Sequence, residues 1–176
     1  MPLRVRMLAR LPRRLRFGLL LAAALLLFIP WPGFFYALRI THEQAGQELF
    51  NLPYIPTHSF DLSFINSIYL APTVEKFELN GLSISLREIT TTSWGVIEYY
   101  NPQGTIREEK GTIRVRDINF RTPKLNLMIG YIGKQKIIWD GRNYLLYAAT
   151  EPGAVLILEP VRISPAQYLW KKMLRR

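Results

Sequence analysis

The chain has 176 residues, a formal net charge of +10 at pH 7 and no cysteine. This length suits one domain with its own core plus attached segments, and the missing cysteine excludes disulfides, thiol catalysis and cysteine-bound zinc. The excess charge lies in six arginines before Phe17 and four basic residues after Trp170, with 13 basic and 13 acidic residues between them, which argues against a nucleic-acid partner and favours a membrane surface.

The N-terminal part predicts a basic cytoplasmic segment, residues 1–16, followed by a transmembrane anchor, residues 17–38. From Phe17 to Leu38 the chain has 22 residues without an acidic or basic side chain, and about 20 apolar residues span a bilayer as a helix. Aromatic residues near the end of this stretch suit the membrane–water interface. The residues expected to contact the membrane here are Arg13, Arg14, Arg16, Trp31, Phe34, Phe35 and Tyr36.

A cleaved signal peptide is the alternative to a retained anchor. Both begin with basic residues and an apolar stretch, but a signal peptide ends in a small-residue cleavage site. Prolines and bulky aromatic residues follow Ile29 instead, so a retained anchor is favoured. Six arginines before the span and only Arg39 just after it place the N-terminus in the cytoplasm and the rest of the chain outside it.

Residues 39–58 are predicted to be a juxtamembrane linker. Thr41 and Gln44 have the spacing of a helix-capping box, which predicts a short helix over residues 41–50. Pro53 and Pro56 then stiffen the chain before the next element.

Residues 59–163 are predicted to form a mainly β domain, an antiparallel sandwich or a small open barrel. Short apolar runs alternate with turn signals such as Asn80-Gly81 and Asp140-Gly141, which is typical of these two architectures. The predicted strands are 59–70, 73–79, 82–89, 95–99, 105–108, 112–118, 124–129, 136–139, 142–148 and 154–162.

The hairpin around Asn80-Gly81 places a carboxylate on an apolar face. If these two residues form the loop, one face carries one acid and five apolar side chains. The side chains on this face are Glu75, Phe77, Leu79, Leu82, Ile84 and Leu86. Charged and small polar residues fill the other face, so Glu75 points to the core and must either reach water at the strand end or find a partner. Asn66 and Ser67 are the nearest candidates for that partner.

The C-terminal residues 164–176 are predicted to form a short basic helix. Ser164 can cap it, and Pro165 suits its first turn. Its apolar side chains and four cations are typical of a membrane-surface segment, while a helix packed on the sheet and a frayed terminus are the alternatives. The residues expected at the membrane are Trp170, Lys171 and Lys172.

Three stretches of the sequence resemble a bacterial family called domain of unknown function 1850. They read FINSIYLAPTVEKFEL, TSWGVIEYY and LNLMIGYIGKQKIIWDGRNYLL, and they lie within residues 60–161. The family's signature is a His-Ser pair, then a Pro and a Glu on the next strand, then a Ser-x-Gly segment. The matching residues here are Asn66, Ser67, Pro72, Glu75, Ser93 and Gly95, with Asn66 in place of the histidine.

The resemblance implies a role beside a transporter in the bacterial inner membrane. Genes of this family often lie next to solute transporters of the tripartite TRAP type, so we expect an accessory protein that contacts the permease or the solute-binding subunit. The six signature residues then form a candidate interaction corner. The alternative is a carrier of a lipid-like or amphipathic ligand, because anchored β-domains of the lipopolysaccharide-export type have the same outline.

Catalytic, cofactor and metal sites are not expected. His42 and His58, the two histidines, precede the main strands, so a Ser-His-Asp arrangement would need one of them to fold back. The usual metal-ligand spacings and phosphate-binding loops are missing from the sequence. A carboxylate pair from Glu75 and Glu98 is a weaker alternative, since acidic residues on solvated strands are far commoner.

Overall fold

The computed structural model describes residues 12–26, 29 and 34–174, about half of which are in antiparallel β-strands. Four strands form the smaller sheet: β1 (Tyr36–His42), β2 (Glu48–Tyr54), β8 (Leu125–Met128) and β11 (Val155–Arg162). Their order across the sheet is β2-β1-β11-β8. The central position of β1 makes the residues after the N-terminal apolar stretch part of the folded domain.

The larger sheet has seven strands within the same described residues. They are β3 (Thr57–Ile65), β4 (Pro72–Asn80), β5 (Ser83–Thr91), β6 (Thr105–Glu109), β7 (Thr112–Thr122), β9 (Lys136–Trp139) and β10 (Arg142–Leu145). Their order is β10-β9-β3-β4-β5-β7-β6, and neighbouring strands are antiparallel. The prediction of a mainly β, antiparallel fold is confirmed.

The inner faces of the two sheets share one apolar core. Leu38 and Ile40 of the smaller sheet belong to the same buried cluster as Phe60 and Phe77 of the larger one. The rings of Phe60 and Phe77 stack with their centroids 5.2 Å apart, and Trp139 stacks on Phe60 at 6.0 Å. Each fully buried apolar side chain of this kind contributes about 1.5–3 kcal/mol to folding.

The β4–β5 hairpin has the predicted faces, but its register is shifted by two residues. Gly81 and Leu82 form the loop, because Asn80 still pairs with Ser83. Gly81 has φ +57°, which suits a two-residue turn with glycine at its first central position. A shift of two residues keeps each strand side chain on its face. Leu82 moves into the loop, where it is exposed.

A β-bulge at Arg87 adjusts the same hairpin further along. The ladder passes from Phe77 opposite Leu86 to Lys76 opposite Glu88, so Arg87 is the extra residue of β5. Arg87 turns to the outer face, where its Nε lies 3.1 Å from Glu78 Oε2. The bulge brings the buried Ile89 opposite Glu75, which surrounds that carboxylate with apolar side chains.

Four helices accompany the strands in the part of the chain that the structure describes. They are α1 (Arg13–Leu26), α2 (Trp94–Tyr100), α3 (Leu146–Ala149) and α4 (Pro165–Leu174). None of these helices has both the length and the apolar character needed to cross a membrane. The predicted anchor, residues 17–38, falls partly in α1 and ends inside β1, and residues 27, 28 and 30–33 lie outside the described residues.

Residues 39–58 form strands, so the prediction of a linker with a short helix is wrong. They contain most of β1, all of β2 and the start of β3. Tyr36 is only 6% exposed and lies in the core, which also corrects its assignment to the membrane surface. The apolar run at Tyr36–Leu38 belongs to a buried strand, and a buried strand and a membrane segment have the same hydropathy.

Residues 95–99, predicted as a strand, lie in α2. Valine, isoleucine and tyrosine favour strands by propensity, but here Val96 and Ile97 are buried by packing of the helix against the core. Gly95 lets the helix approach the ring of Tyr69, because a Cβ at this position would lie 2.3 Å from Tyr69 Cε1. Tertiary packing therefore overrides the local propensity.

The predicted short basic helix at the C-terminus is present as α4, and it is capped as expected. Ser164 N donates to Gln167 Oε1 at 2.9 Å, and Gln167 N donates to Ser164 Oγ at 3.2 Å. These two bonds form a reciprocal capping box. The helix lies near the start of β1, since the rings of Phe35 and Tyr168 are 5.1 Å apart and Ile163 N donates to Phe35 O at 3.1 Å.

We expect Ile40→Ala to lower the free energy of unfolding by about 3 kcal/mol, because it deletes buried methyl groups and leaves a cavity. Ile40 is fully buried in β1. The control is Ile106→Ala in the edge strand β6, where the side chain is 43% exposed, and it should cost about 0.5 kcal/mol or less. Urea unfolding of the full chain in mild detergent measures both. Equal costs would show that β1 is not part of the core.

Candidate functional site

Glu75 lies on the inner face of β4 and is only 7% exposed. It is the one carboxylate among the buried side chains of the described residues. Leu62 of β3 and Ile89 of β5 are its cross-strand neighbours. Burial raises the pKa of Glu75 to about 7, because the ionised form loses its hydration, and a hydrogen bond from Tyr100 offsets part of this rise.

Tyr100, at the end of α2, donates its phenolic hydrogen to the Glu75 carboxylate. Burial of the hydroxyl raises the pKa of Tyr100, and the nearby charge of Glu75 raises it further. The tyrosine therefore remains a donor at neutral pH. The helix ends there because Asn101 adopts a left-handed conformation, with φ 42° and ψ 50°, and its N–H bonds to Ile97 O.

Glu75 and Tyr100 line a cleft of about 400 Å³. β3 and β4 of the larger sheet form its floor, and β8 at the edge of the smaller sheet forms one wall together with the loop that follows β8. Tyr99 and Tyr100 of α2 also belong to the lining. The apolar part of the lining comes from Leu62, Phe64, Leu127 and Ile129. The cleft thus combines an apolar interior with one buried acid.

Gln135 is a second buried polar side chain in this cleft. It is 7% exposed, and its Nε2 donates to Met128 O at 3.3 Å. Its Oε1 is buried and has no hydrogen-bond partner in the described part of the chain. Gly133 gives the amide its space, since a Cβ there would lie 2.4 Å from Gln135 Nε2. An unsatisfied buried acceptor of this kind needs an explanation.

Asn66, also buried, holds the loop between β3 and β4. Its Oδ1 accepts hydrogen bonds from the backbone N–H groups of Ile68 and Tyr69, each at 3.1 Å. Its own N–H donates to Ala71 O at 2.9 Å, which closes the loop. Leu70 in this loop has φ +50°, an uncommon conformation for a leucine. The Asn66 side chain therefore fixes a loop at the cleft, and its Oδ1 bonds to backbone N–H groups of that loop.

The structure gathers the predicted interaction corner at one end of the larger sheet. Asn66, Ser67 and Glu75 line the cleft. Pro72 is the exposed first residue of β4, a position where its missing N–H is tolerated. Ser93 precedes α2 as its N-cap residue without a side-chain capping bond, and Gly95 contacts the Asn66 loop through Tyr69.

The residues predicted to contact the membrane differ in their exposure, and some of them contact the β-domain. Phe34 is exposed, whereas Phe35 packs on Tyr168. Trp170 is 61% exposed, and Lys171 Nζ turns toward the domain, 3.9 Å from Glu48 Oε1. Lys172 Nζ lies 5.7 Å from the ring centre of Tyr168. Arg13, Arg14 and Arg16 belong to α1, and Trp31 lies outside the described residues.

Sequence reasoning missed Tyr100, Gln135 and Tyr131 as cleft residues. Tyr100 directly follows residues 95–99, which are predicted as a strand, and that strand does not place its side chain beside Glu75. Gln135 and Tyr131 lie in the loop after β8, where neither period nor composition shows that the first is buried and the second exposed. The Gly130–Gly133 pair was the available signal, because glycines there leave room for a neighbouring side chain.

The chemistry that this cleft offers is binding through hydrogen bonds and apolar contact. Neither histidine lines it: His42 Nε2 lies 3.1 Å from Glu151 Oε1, and His58 stacks on Trp139. Glu98 is exposed on α2 and does not line the cleft. Within the residues described, no group of three or more histidine, aspartate or glutamate side chains is placed to hold a metal ion.

A comparison with known families supports the resemblance seen in the sequence. The family described as Domain of unknown function (DUF1850) matches residues 60–146. The chain belongs to this family. A search of curated proteins gave no match, and a search of solved structures gave none either. The DUF1850 match begins inside β3 and ends at the start of α3, so it contains the cleft floor, α2 and the loop after β8.

We expect Glu75 to make stability depend on pH. The folded state retains its proton up to about pH 7, while the unfolded chain releases it near pH 4.5. Between these values the folded state binds more protons, so the free energy of unfolding should fall as pH rises, by about 3 kcal/mol in all. Urea unfolding of the full chain in mild detergent, from about pH 4.5 to about pH 8, measures the change.

The variant Glu75→Gln should remove this dependence and be more stable than the parent at about pH 8, because it keeps a hydrogen-bonding group without the buried charge. Glu98→Gln, an exposed change on α2, should retain the parent's pH dependence. A flat profile for the parent protein, or a variant less stable than the parent at about pH 8, would contradict the burial argument.

Proposed function

We propose that this protein is a membrane-tethered β-sandwich module of the extracytoplasmic side, which acts by protein contact as an accessory to a solute transporter of the TRAP type. The observation that carries the proposal is a cluster of exposed apolar side chains around the mouth of the cleft. We call this cluster the apolar rim. It consists of Ile68, Tyr99, Tyr100, Met128 and Tyr131, which are 39–87% exposed.

The composition of the apolar rim suits a protein interface. Tyrosine and methionine are enriched at the centres of such interfaces, where they bury much area at small entropic cost. A contiguous exposed patch of this kind favours a binding site over an ordinary surface. Tyr131 is 87% exposed although the loop that carries it is tied to β3, where Ile65 N donates to Gly133 O at 2.7 Å. The rim is therefore presented on a supported loop.

The two ends of the domain support a membrane tether. Phe35, which leads back to the N-terminal apolar stretch, contacts Tyr168 of α4. Leu169, Trp170 and Met173 are 54–61% exposed on one side of α4. The start of β1 and the amphipathic basic helix α4 thus lie side by side, which suits a domain held close to a lipid surface.

A photo-crosslinking amino acid at Tyr131 should capture a transporter subunit in intact membranes, because this residue projects from the apolar rim. Mass spectrometry of the crosslinked product identifies the permease or the solute-binding subunit. The control is the same amino acid at Ile106, in the edge strand β6 at the far side of the larger sheet. Capture of no transporter subunit at Tyr131, or equal capture at both positions, would contradict the proposed contact.

Carbonate washing of membranes should leave the full chain in the pellet, because the apolar stretch after Phe17 holds it in the bilayer. A variant that begins at residue 34 keeps every strand of both sheets and should be released by the same wash. Immunoblotting of pellet and supernatant measures the distribution. Release of the full chain would show that the N-terminal stretch is not a retained anchor.

The cleft itself favours a second candidate function, a carrier of an amphipathic ligand. Its volume of about 400 Å³ is within the range of small-molecule sites. Its lining is largely apolar, and three buried polar side chains, Asn66, Glu75 and Gln135, belong to it. This combination suits a molecule with a polar head and an apolar stem.

A further inference from the structure

The cleft offers acceptors for hydrogen bonds and lacks a positive charge. Glu75 is the one residue with a formal charge among the described residues that line it. Its carboxylate accepts from Tyr100, and an ionised carboxylate has further lone pairs available. Gln135 adds a buried Oε1 without a partner, while its Nε2 is already bonded to Met128 O. A ligand that donates hydrogen bonds would satisfy both side chains.

The residues that line the walls favour a cationic hydrogen-bond donor over a neutral one. Tyr99, Tyr100 and Tyr131 place aromatic rings on the lining, and ring faces attract a cation. Phe64 and Leu127 supply apolar contact for an alkyl stem. A carboxylate ligand would instead meet the acid of Glu75 with no lysine, arginine or histidine on the described lining to balance it.

We propose that the cleft binds a small amphipathic molecule with a primary ammonium head, which donates to the Glu75 carboxylate and to Gln135 Oε1 while its stem lies along Phe64 and Leu127. The inference rests on the proposed carrier function and specifies its ligand. A small molecule is favoured over a long chain because the cleft has about 400 Å³ and Glu75, at its floor, is only 7% exposed.

The test measures binding of hexylammonium to the full chain in phosphatidylcholine nanodiscs by calorimetry, with empty nanodiscs as the reference. Hexanol and hexanoate are the matched probes. We expect hexylammonium to bind at least tenfold more tightly than hexanol, and hexanoate not to bind, since a charge-assisted hydrogen bond is the stronger kind. Glu75→Gln should weaken hexylammonium binding at least tenfold, and Gln135→Met should weaken it several-fold. The exposed change Glu98→Gln should leave it unaltered.

The pH profile gives an independent readout. The ammonium needs an ionised Glu75, so binding by the parent should weaken about tenfold from about pH 8 to about pH 6, and the Glu75→Gln variant should lose this dependence. The other titratable groups on the described lining are Tyr99, Tyr100 and Tyr131. Burial raises the pKa of the Tyr100 hydroxyl, which hydrogen-bonds to Glu75.

The outcomes separate the inference from the proposed carrier function. If all three probes bind equally and Glu75→Gln has no effect, the cleft is a carrier site but the ammonium inference is overturned. Hexanoate binding that strengthens at low pH would overturn it as well, because Glu75 would then act as a protonated donor. If no probe binds, both the inference and the carrier function fail. Tighter binding of a lysine-containing peptide than of hexylammonium would overturn the choice of a small molecule.

Discussion

Glu75 loses most of its hydration on the inner face of β4, and the elements around it are arranged to accommodate that loss. The bulge at Arg87 turns a guanidinium outward and brings Ile89 opposite Glu75, so no cation of β5 lies beside the carboxylate. The compensation comes from Tyr100 at the end of α2, whose hydroxyl donates a hydrogen bond to Glu75. One hydrogen bond offsets only part of the desolvation, and the pKa stays raised.

Residues of both sheets line the opening of the cleft. β8 is a short edge strand of the smaller sheet, and its Leu127 and Met128 line the same space as residues of β3 and β4. α2 and the loop after β8 close the sides of this opening. Their contacts are specific: Gly95 admits the ring of Tyr69, and Gly133 admits the amide of Gln135. A side chain at either glycine would collide with these neighbours.

The sequence predicts the buried face of a strand correctly where apolar and polar side chains alternate regularly. Alternation along β4 placed Glu75, Phe77 and Leu79 on the inner face, and this assignment survives the two-residue register shift because the period of a strand is two. The bulge at Arg87 depends on long-range packing and leaves no local signal. α2 was read as a strand from its valine, isoleucine and tyrosine residues, since propensity cannot show that a helix buries Val96 and Ile97. The first three residues of β1, Tyr36–Leu38, fall within the predicted anchor because core strands and membrane segments are equally apolar.

A role in folding does not explain why residue 75 carries an ionisable group, whereas a role in ligand binding does. A neutral side chain of the same shape would also meet Tyr100, and it would avoid the cost of burying an ion. Gln135 presents a comparable case. Its Oε1 is buried without a hydrogen bond, so an apolar atom at this position would stabilise the fold at least as well. Two acceptors with spare hydrogen-bonding capacity in one cleft, beneath an exposed apolar rim, make sense if a donor group occupies the cleft during function. Binding of that donor would then recover the stability that the buried acceptors cost. Occupancy of the cleft would also stabilise the positions of α2 and the loop after β8, which line it.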